Sequence, residues 1–193
     1  MVTLVGIFVG GKSTRMQGRP KGLLAAPQSG LSLVERLAAL TQRTLPHARV
    51  VLVGQHSAYA GLSIQQLPDL ASENAGPLAG LAALCQEATR IGSRDALCLA
   101  CDLPYVEAPL IERLAQHAPD CAAVAARVDN RWQPFFARYL AVAAAPLIAA
   151  RLAAHRLGLY GVLDELGAAE LPLNETEAGQ LRDWDTPDDV SAG

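Results

Sequence analysis

The sequence is poor in lysine, carries no excess of positive charge and has no apolar segment long enough to cross a membrane. Only two of its 193 residues are lysines, and its formal net charge is −3. Such a chain has no general basic field that would recruit nucleic acid or an anionic membrane surface. Its apolar runs are shorter than the roughly 18 residues of a membrane span, and its first residues lack the charged n-region of a signal peptide. We therefore expect a cytoplasmic protein that binds neither nucleic acid nor membranes.

The cysteines and histidines, four of each, also lack the spacing of a metal or redox site. Cys98 and Cys101 form a Cys-x-x-Cys pair, a spacing that occurs in zinc and redox sites. They lie, however, in the apolar run 96–101, which predicts a buried strand, and side chains three apart on a strand point to opposite faces. No second cysteine pair or nearby histidine completes a zinc site. The pattern predicts buried free thiols.

Short apolar runs alternate with helical patterns along the whole chain. The runs 3–9, 49–53 and 96–100 predict buried strands, and residues 22–25 are expected to form a short extended piece. Ser32 and Glu35 form a capping box that opens a helix to about residue 45. Strands that alternate with helices predict a three-layer α/β/α fold with a mostly parallel, Rossmann-like sheet. A chain of 193 residues, 51% of them hydrophobic, suits a single domain over residues 1–193.

Both lysines lie in a glycine-rich stretch, residues 10–21, that directly follows the first predicted strand. Its sequence is GGKSTRMQGRPK and contains four basic residues. Small residues let backbone N–H groups approach phosphate oxygens, and Arg15 and Lys21 can neutralise those oxygens. The stretch therefore predicts a loop that binds phosphate.

The same stretch also has the spacing of a P-loop, because Gly6 is followed after four residues by Gly-Lys-Ser at 11–13. A P-loop helix begins at its Lys-Ser, and here that helix would contain Pro20 and two further glycines. The proline would remove a hydrogen bond, and each glycine would cost about 1 kcal/mol relative to alanine. The sequence favours an extended loop. The alternative, a P-loop kinase or GTPase, requires Lys12 to matter and Lys21 not to.

As an extended loop, the stretch resembles the signature of nucleotidyltransferases with a GT-A-like fold, roughly Gly-Gly-x-x-x-Arg-Met-Gly-x-x-Lys. The matching residues are Gly10, Gly11, Arg15, Met16, Gly18 and Lys21. Gln17 stands where the first glycine after Met is common, and Phe8-Val9 replace the usual Leu-Ala. Neither departure removes a charged group.

Asp102 follows the predicted strand 96–100 directly. Ligands of open parallel sheets bind at the carboxyl ends of the strands. If this strand lies beside the first one, Asp102 faces the phosphates gathered by Lys21. A carboxylate in that position suits Mg²⁺, which takes one or two carboxylates together with phosphate oxygens and water. The alternative is that Asp102 caps the helix that follows Pro104.

Two further segments narrow the resemblance. Asp69, followed by six residues and Gly-Pro-Leu-Ala-Gly at 76–80, resembles the molybdenum cofactor guanylyltransferases, which transfer GMP to molybdopterin. Residues 133–137, Gln-Pro-Phe-Phe-Ala, resemble a strand that borders the acceptor site in that family. On residue types alone, glycines needed for helix packing and an ordinary strand after a turn also explain these segments. The resemblance extends in order from Thr3 to Asp189.

The resemblance implies a set of site residues. The implied catalytic residues are Lys21, Arg15 and Asp102, and Asp102 is also the implied ligand of Mg²⁺. The implied nucleotide contacts are Phe8, Val9, Gly10, Gly11, Lys21, Gly54, Asp69 and Asp102. Gly54 stands where the family often has Asn, so a side-chain contact is lost there. Asp185 is either a second metal ligand, as in related cytidylyltransferases, or an N-terminal charge for the last helix.

The implied substrates are GTP and molybdopterin, and the same resemblance implies a transient contact with proteins that mature molybdoenzymes. Three other functions stay open. One is a cytidylyltransferase for the same cofactor, which Asp185 favours. The second is a sugar- or alcohol-phosphate nucleotidyltransferase. The third is a nucleotide-binding module without catalysis.

Overall fold

A seven-stranded sheet forms the centre of the computed structural model, which describes residues 3–9, 20–27, 29–68 and 75–184. The strands are β1 (Thr3–Phe8), β2 (Ala48–Val53), β3 (Gln66–Leu67), β4 (Asp95–Ala100), β5 (Ala123–Val128), β6 (Arg131–Leu140) and β7 (Ala169–Leu171). Their order across the sheet is β3-β2-β1-β4-β6-β5-β7. All neighbouring pairs are parallel except those of β6, which runs antiparallel to β4 and β5. The expected mostly parallel sheet is confirmed.

Helices cover both faces of this sheet. They are α1 (Leu33–Thr44), α2 (Gly76–Arg90), α3 (Ala108–Gln116), α4 (Ala141–Ala153), α5 (Leu159–Glu165) and α6 (Glu175–Gln180), with 3₁₀ turns at Lys21–Leu23 and Ser57–Tyr59. Buried side chains of α2, α4 and α5 form one core with one face of the sheet, and those of α1 and α3 form a second core with the other face. The fold is therefore the three-layer α/β/α arrangement. None of the described helices is long and apolar enough to span a membrane.

Capping side chains mark the starts of two helices, and the sequence pattern of such caps locates these starts correctly. Ser32 accepts from the backbone N–H of Glu35, and the Glu35 carboxylate accepts from the backbone N–H of Ser32, so the predicted capping box opens α1. The same reciprocal pattern between Asn174 and Glu177 opens α6, a helix that the sequence analysis missed. Its Asn-x-x-Glu spacing is the signal that would have found it.

The prediction of a short extended piece at residues 22–25 was wrong. The chain forms a 3₁₀ turn there, in which the Leu23 N–H donates to Pro20 O and the Leu24 N–H donates to Lys21 O, both at 3.0 Å. Pro20 has φ −60°, the value that its ring imposes and that also suits the start of a turn. Only Ala25 makes an isolated strand-like bridge, to Ser32.

A buried arginine closes the amino-terminal end of β4. The Arg138 side chain on β6 is 1% exposed and donates to the Asp95 carboxylate at 2.8 Å. Its other terminal nitrogen donates to the carbonyls of His117 and Ala118, at 3.0 and 2.7 Å. One side chain thus ties β4, β6 and the connection after α3 together. Removal of the guanidinium would leave the Asp95 carboxylate and the His117 carbonyl without this donor, whereas the Ala118 carbonyl would keep the Cys121 N–H, which donates to it at 3.0 Å.

We expect Arg138→Ala to lower the free energy of unfolding by about 3 kcal/mol, because it leaves the largely buried Asp95 carboxylate and the His117 carbonyl unpaired. Urea unfolding followed by tryptophan fluorescence measures this. Arg131→Ala is the matched control, since Arg131 lies on the same strand but is exposed, and a change within about 0.5 kcal/mol is expected there. Equal effects of the two substitutions would contradict the assigned role of Arg138.

Candidate active site

The carboxyl ends of β1 and β4 lie side by side, as the candidate site requires. The two strands pair in parallel from Leu4–Ala96 to Phe8–Ala100, and the pairing continues one residue further, where the Cys101 N–H donates to Phe8 O at 3.2 Å. Asp102, the next residue of the chain, is therefore at the same edge of the sheet as the end of β1. The condition set by the sequence analysis, that these two strands be neighbours, is met.

Lys21 and Asp102 form an ion pair at this edge. Lys21 Nζ lies 2.9 Å from Asp102 Oδ2, although the two residues are 81 positions apart in the chain. Their side chains are 19% and 17% exposed, so the pair is shielded from solvent but still accessible to a ligand. The 3₁₀ turn that follows Pro20 carries the lysine, and the connection after β4 carries the aspartate. Two of the three predicted catalytic residues are thus in direct contact.

Three other predicted contacts lie at the same edge. Phe8 and Val9 are both 8% exposed, and the Val9 N–H donates to Val53 O at 3.0 Å, so their side chains belong mainly to the core. Gly54 follows β2 with φ 102°, in the region that favours glycine. The Phe8 ring also meets the Phe135 ring, with centroids 5.0 Å apart, which brings the 133–137 segment next to the end of β1.

The remaining predicted site residues lie outside the described part of the chain. They are Gly10, Gly11, Arg15, Asp69 and the candidate second metal ligand Asp185. Lys12, on which the P-loop alternative depends, and the expected last helix at 186–189 also lie outside it. Gly6, by contrast, is described: it sits within β1, paired with Val51 and Cys98. A residue in the middle of a strand is not the first glycine of a P-loop.

Trp184, which the sequence analysis did not assign to the site, joins the chain near its carboxyl end to Asp102. Its backbone N–H donates to Asp102 O at 3.1 Å, and its indole N–H donates to the Tyr105 hydroxyl at 3.2 Å. The indole is 2% exposed and packs with Leu24 and Leu33. The sequence signal for this role was a single tryptophan within a polar segment, because a ring of this size is usually buried in a hydrophobic core. Trp184 therefore helps to hold the backbone of Asp102 in place.

The Gly-Pro-Leu-Ala-Gly segment begins α2, as expected. Gly76 has φ 58°, a conformation that glycine adopts without strain, and Pro77 lies in the first turn, where its missing N–H costs nothing. Leu78, Ala79 and Gly80 are buried. Backbone conformation and packing therefore account for much of this segment, in line with the structural alternative left open above.

The carboxylate oxygens of Asp102 at this edge of the sheet are suitable ligands for a hard cation such as Mg²⁺. Within residues 3–9, 20–27, 29–68 and 75–184, no group of three or more His, Cys, Asp or Glu side chains is arranged to hold a metal ion. The Asp102 carboxylate can nevertheless supply the single protein ligand that Mg²⁺ needs when nucleotide phosphates and water complete its coordination. The residues present are compatible with a metal that arrives together with the nucleotide.

The Cys-x-x-Cys pair is buried and divided between the two cores. Cys98 packs on the α2 and α4 side of the sheet, and Cys101 packs on the α1 and α3 side. Cys85, Cys98 and Cys101 are all buried free thiols, and Cys121 is partly exposed. Burial raises the pKa of Cys101 to about 12 and has the same effect on Cys85. The prediction of buried free thiols is confirmed for Cys98 and Cys101.

Comparison with known proteins gives a family match over most of the chain. The family model of the MobA-like NTP transferase domain matches residues 5–169. The molybdenum cofactor guanylyltransferase of Rhodobacter capsulatus is 31% identical over 191 residues, which cover 97% of this chain and 93% of that protein. The molybdenum cofactor guanylyltransferase of Pseudomonas syringae pv. tomato is 33% identical over 153 residues, covering 78% of this chain and 73% of that protein.

Solved structures share the fold. Molybdopterin-guanine dinucleotide biosynthesis protein A from Archaeoglobus fulgidus superposes with a TM-score of 0.74 at 20% identity, covering 98% of this chain and 95% of that one. The 2-C-methyl-D-erythritol 4-phosphate cytidylyltransferase from Thermus thermophilus superposes with a TM-score of 0.64 at 19% identity, covering 100% and 97%. The architecture is thus shared by proteins named for different nucleotides.

The burial of the cysteines predicts one reactive thiol per folded chain. A disulfide reagent such as DTNB reacts with thiolate, and with a pKa of about 12 only on the order of 10⁻⁴ of Cys101 is thiolate at pH 8. We expect Cys121 alone to react within minutes at pH 8 and all four thiols to react in guanidinium chloride. Cys121→Ser should remove the fast reaction. Rapid modification of Cys98 or Cys101 in the folded protein would contradict this prediction.

Proposed function

The chain belongs to the MobA-like NTP transferase family, and on this basis we propose that it transfers GMP from GTP to molybdopterin, forming molybdopterin guanine dinucleotide and pyrophosphate. The observation that carries this proposal is the Lys21–Asp102 contact at the edge where β1 and β4 end. An accessible ammonium and carboxylate in that place suit phosphate and metal binding. Relatives that the chain matches over nearly its whole length are named for guanylyl transfer.

The chemistry requires charge neutralisation rather than a general base. The terminal phosphate of molybdopterin would attack the α-phosphorus of GTP in line and expel pyrophosphate. A phosphate monoester is already anionic, so no side chain has to create the nucleophile. The protein has to hold two polyanions close together and compensate their charge. Lys21 would bind the phosphates of GTP and stabilise the charge that moves onto pyrophosphate, and we propose the same role for Arg15.

Asp102 is the residue we propose as the protein ligand of Mg²⁺. When bound, the ion would neutralise the phosphates and align the reacting groups. Asp102 also has a role of its own before the nucleotide arrives, because its contact with Nζ holds the Lys21 side chain at the mouth of the site. Binding of GTP would then exchange part of the carboxylate contact of Lys21 for contacts with phosphate. Trp184 and Cys101 keep the Asp102 backbone in place during this exchange.

Besides Lys21 and Asp102, the proposed nucleotide contacts are Phe8, Val9, Gly54, Gly10, Gly11 and Asp69. For Phe8 and Val9 the burial of the side chains favours contacts through backbone atoms other than Phe8 O and Val9 N–H, which take part in the sheet hydrogen bonds with Cys101 and Val53. For Gly54 the absence of a side chain leaves the backbone alone to contact the ligand. Base preference rests on the 76–80 segment and on the relatives, while Asp185 remains the feature that favours a cytidylyltransferase.

Lys21→Ala and Asp102→Asn should each lower kcat/KM for guanylyl transfer by about 100-fold or more, because each removes a charge that acts on the phosphates. Pyrophosphate release measures the rate, and thermal unfolding should change little. Arg43→Ala, an exposed change in the last turn of α1, is the control. A larger loss in Lys12→Ala than in Lys21→Ala, or undiminished rates in both site variants, would overturn the proposal.

Calorimetric titration with GTP, CTP and ATP, each with and without Mg²⁺, tests the nucleotide and the metal together. We expect GTP to bind more tightly than the other two nucleotides, and Mg²⁺ to increase that affinity in the wild-type protein but not in Asp102→Asn. A preference for CTP would keep the fold and the chemistry but make the protein a cytidylyltransferase. Binding of none of the three would contradict the proposal.

A further inference from the structure

We propose that Gly22 and Tyr59 form a seat that positions the Lys21 ammonium against Asp102, so that both act as positioning residues of the proposed reaction. The inference deepens the proposed function and rests on it. Neither residue belongs to the phosphate-binding signature, and neither side chain carries a charge. Both residues lie where the 3₁₀ turn of residues 21–23 packs against the rest of the protein.

Gly22 has no room for a side chain. A Cβ atom at this position would lie 2.9 Å from Tyr59 Oη, 3.2 Å from Tyr59 Cε1 and 3.4 Å from Cys101 Cβ. The glycine is therefore packed between the phenol ring and the residue that immediately precedes Asp102. Because Lys21 is adjacent to Gly22, this packing sets the position of the lysine backbone relative to the aspartate backbone.

Tyr59 is a rigid support for this contact. It ends the 3₁₀ turn that follows β2, is 1% exposed, and packs in the same core as Cys101 and Val9. Backbone bonds hold it on both sides, since its own N–H donates to His56 O and its carbonyl accepts from Leu62 N–H, both at 3.1 Å. The seat thus connects the ends of β2 and β4 with the turn that carries Lys21.

The Tyr59 hydroxyl gains little from regular hydrogen bonds. It is buried and makes no regular hydrogen bond with the described residues, although the backbone N–H of Gly22 faces it. Burial raises the pKa of the phenol well above its ordinary value, so the group is neutral. A buried hydroxyl without a regular hydrogen bond is unfavourable for folding, and phenylalanine would fill the same space with a smaller penalty. Its closeness to Gly22 indicates a use in holding the turn.

The substitutions follow directly from these distances. Gly22→Ala pushes the turn away from Tyr59 and should lower kcat by about 10- to 100-fold, since small displacements of a catalytic group are costly. Tyr59→Phe removes the closest contact and should lower kcat less, with an unchanged or higher melting temperature. In the double variant the methyl group gains the space of the lost oxygen, so its kcat should exceed that of Gly22→Ala alone. KM for GTP should change less than kcat in all three.

Gly61→Ala is the matched control, because Gly61 lies in the same connection as Tyr59 and a Cβ there meets nothing within 4 Å. Its kcat should equal that of the wild-type protein. Wild-type kcat in Gly22→Ala, or a double variant no faster than Gly22→Ala, would overturn the inference. A loss of kcat in Tyr59→Phe that merely follows a lowered melting temperature would overturn it as well.

A second readout separates this inference from the proposed function. With two lysines in the chain, the acylation rate of Lys21 can be measured by mass spectrometry, with Lys12 as the internal reference. The Lys21 side chain is 19% exposed and its ammonium contacts Asp102. A shift of the turn that breaks this contact should open Nζ to the reagent, so Lys21 should react several-fold faster in Gly22→Ala than in Gly61→Ala. If the wild-type protein transfers no GMP but this difference is found, the proposed function fails and the positioning role stands. Equal rates would overturn the positioning role.

Discussion

The parallel pairing of β1 with β4 is the constraint on which the candidate site depends. Parallel neighbours cannot be joined by a tight turn, so the residues that follow them come from distant parts of the chain. The pairing is buried on both faces by helices, which fixes its register from Leu4–Ala96 to Phe8–Ala100. A slip of this register by one residue would send the side chains of the strand to the opposite cores, where they do not fit, and would also separate Lys21 from Asp102. The same strand register is therefore required for the packing of the core and for the geometry of the site.

The two ends of β4 carry the same kind of interaction with different consequences. At its beginning, Asp95 meets an arginine that is 1% exposed and that also donates to the backbone carbonyls of His117 and Ala118. At its end, Asp102 meets a lysine that is 19% exposed. The first pair cannot change partners without leaving buried groups unsatisfied. The second is open to phosphate and metal, so only the second suits a nucleotidyltransferase site.

The sequence predicts those features that depend on neighbouring residues. The Ser32–Glu35 capping box, the buried strands and the burial of Cys98 and Cys101 all follow from local spacing, and the structure confirms them. The sheet order does not follow in this way, because β6 enters between β4 and β5 through a long-range pairing. The 22–25 segment was misassigned because the effect of Pro20 on the turn outweighs the extended tendency of its leucines.

The positioning role of Tyr59 was beyond reach of the sequence for the same reason. The sequence alone assigns no role to a tyrosine in a polar connection, because the role follows from the contact of its hydroxyl with Gly22. That contact depends on the 3₁₀ turn, which the sequence did not predict. The seat also explains how a flexible lysine can serve catalysis. A lysine side chain loses much rotamer freedom when it is held in one place. The contact with Asp102 and the fixed backbone at Gly22 impose that loss during folding, so nucleotide binding does not have to.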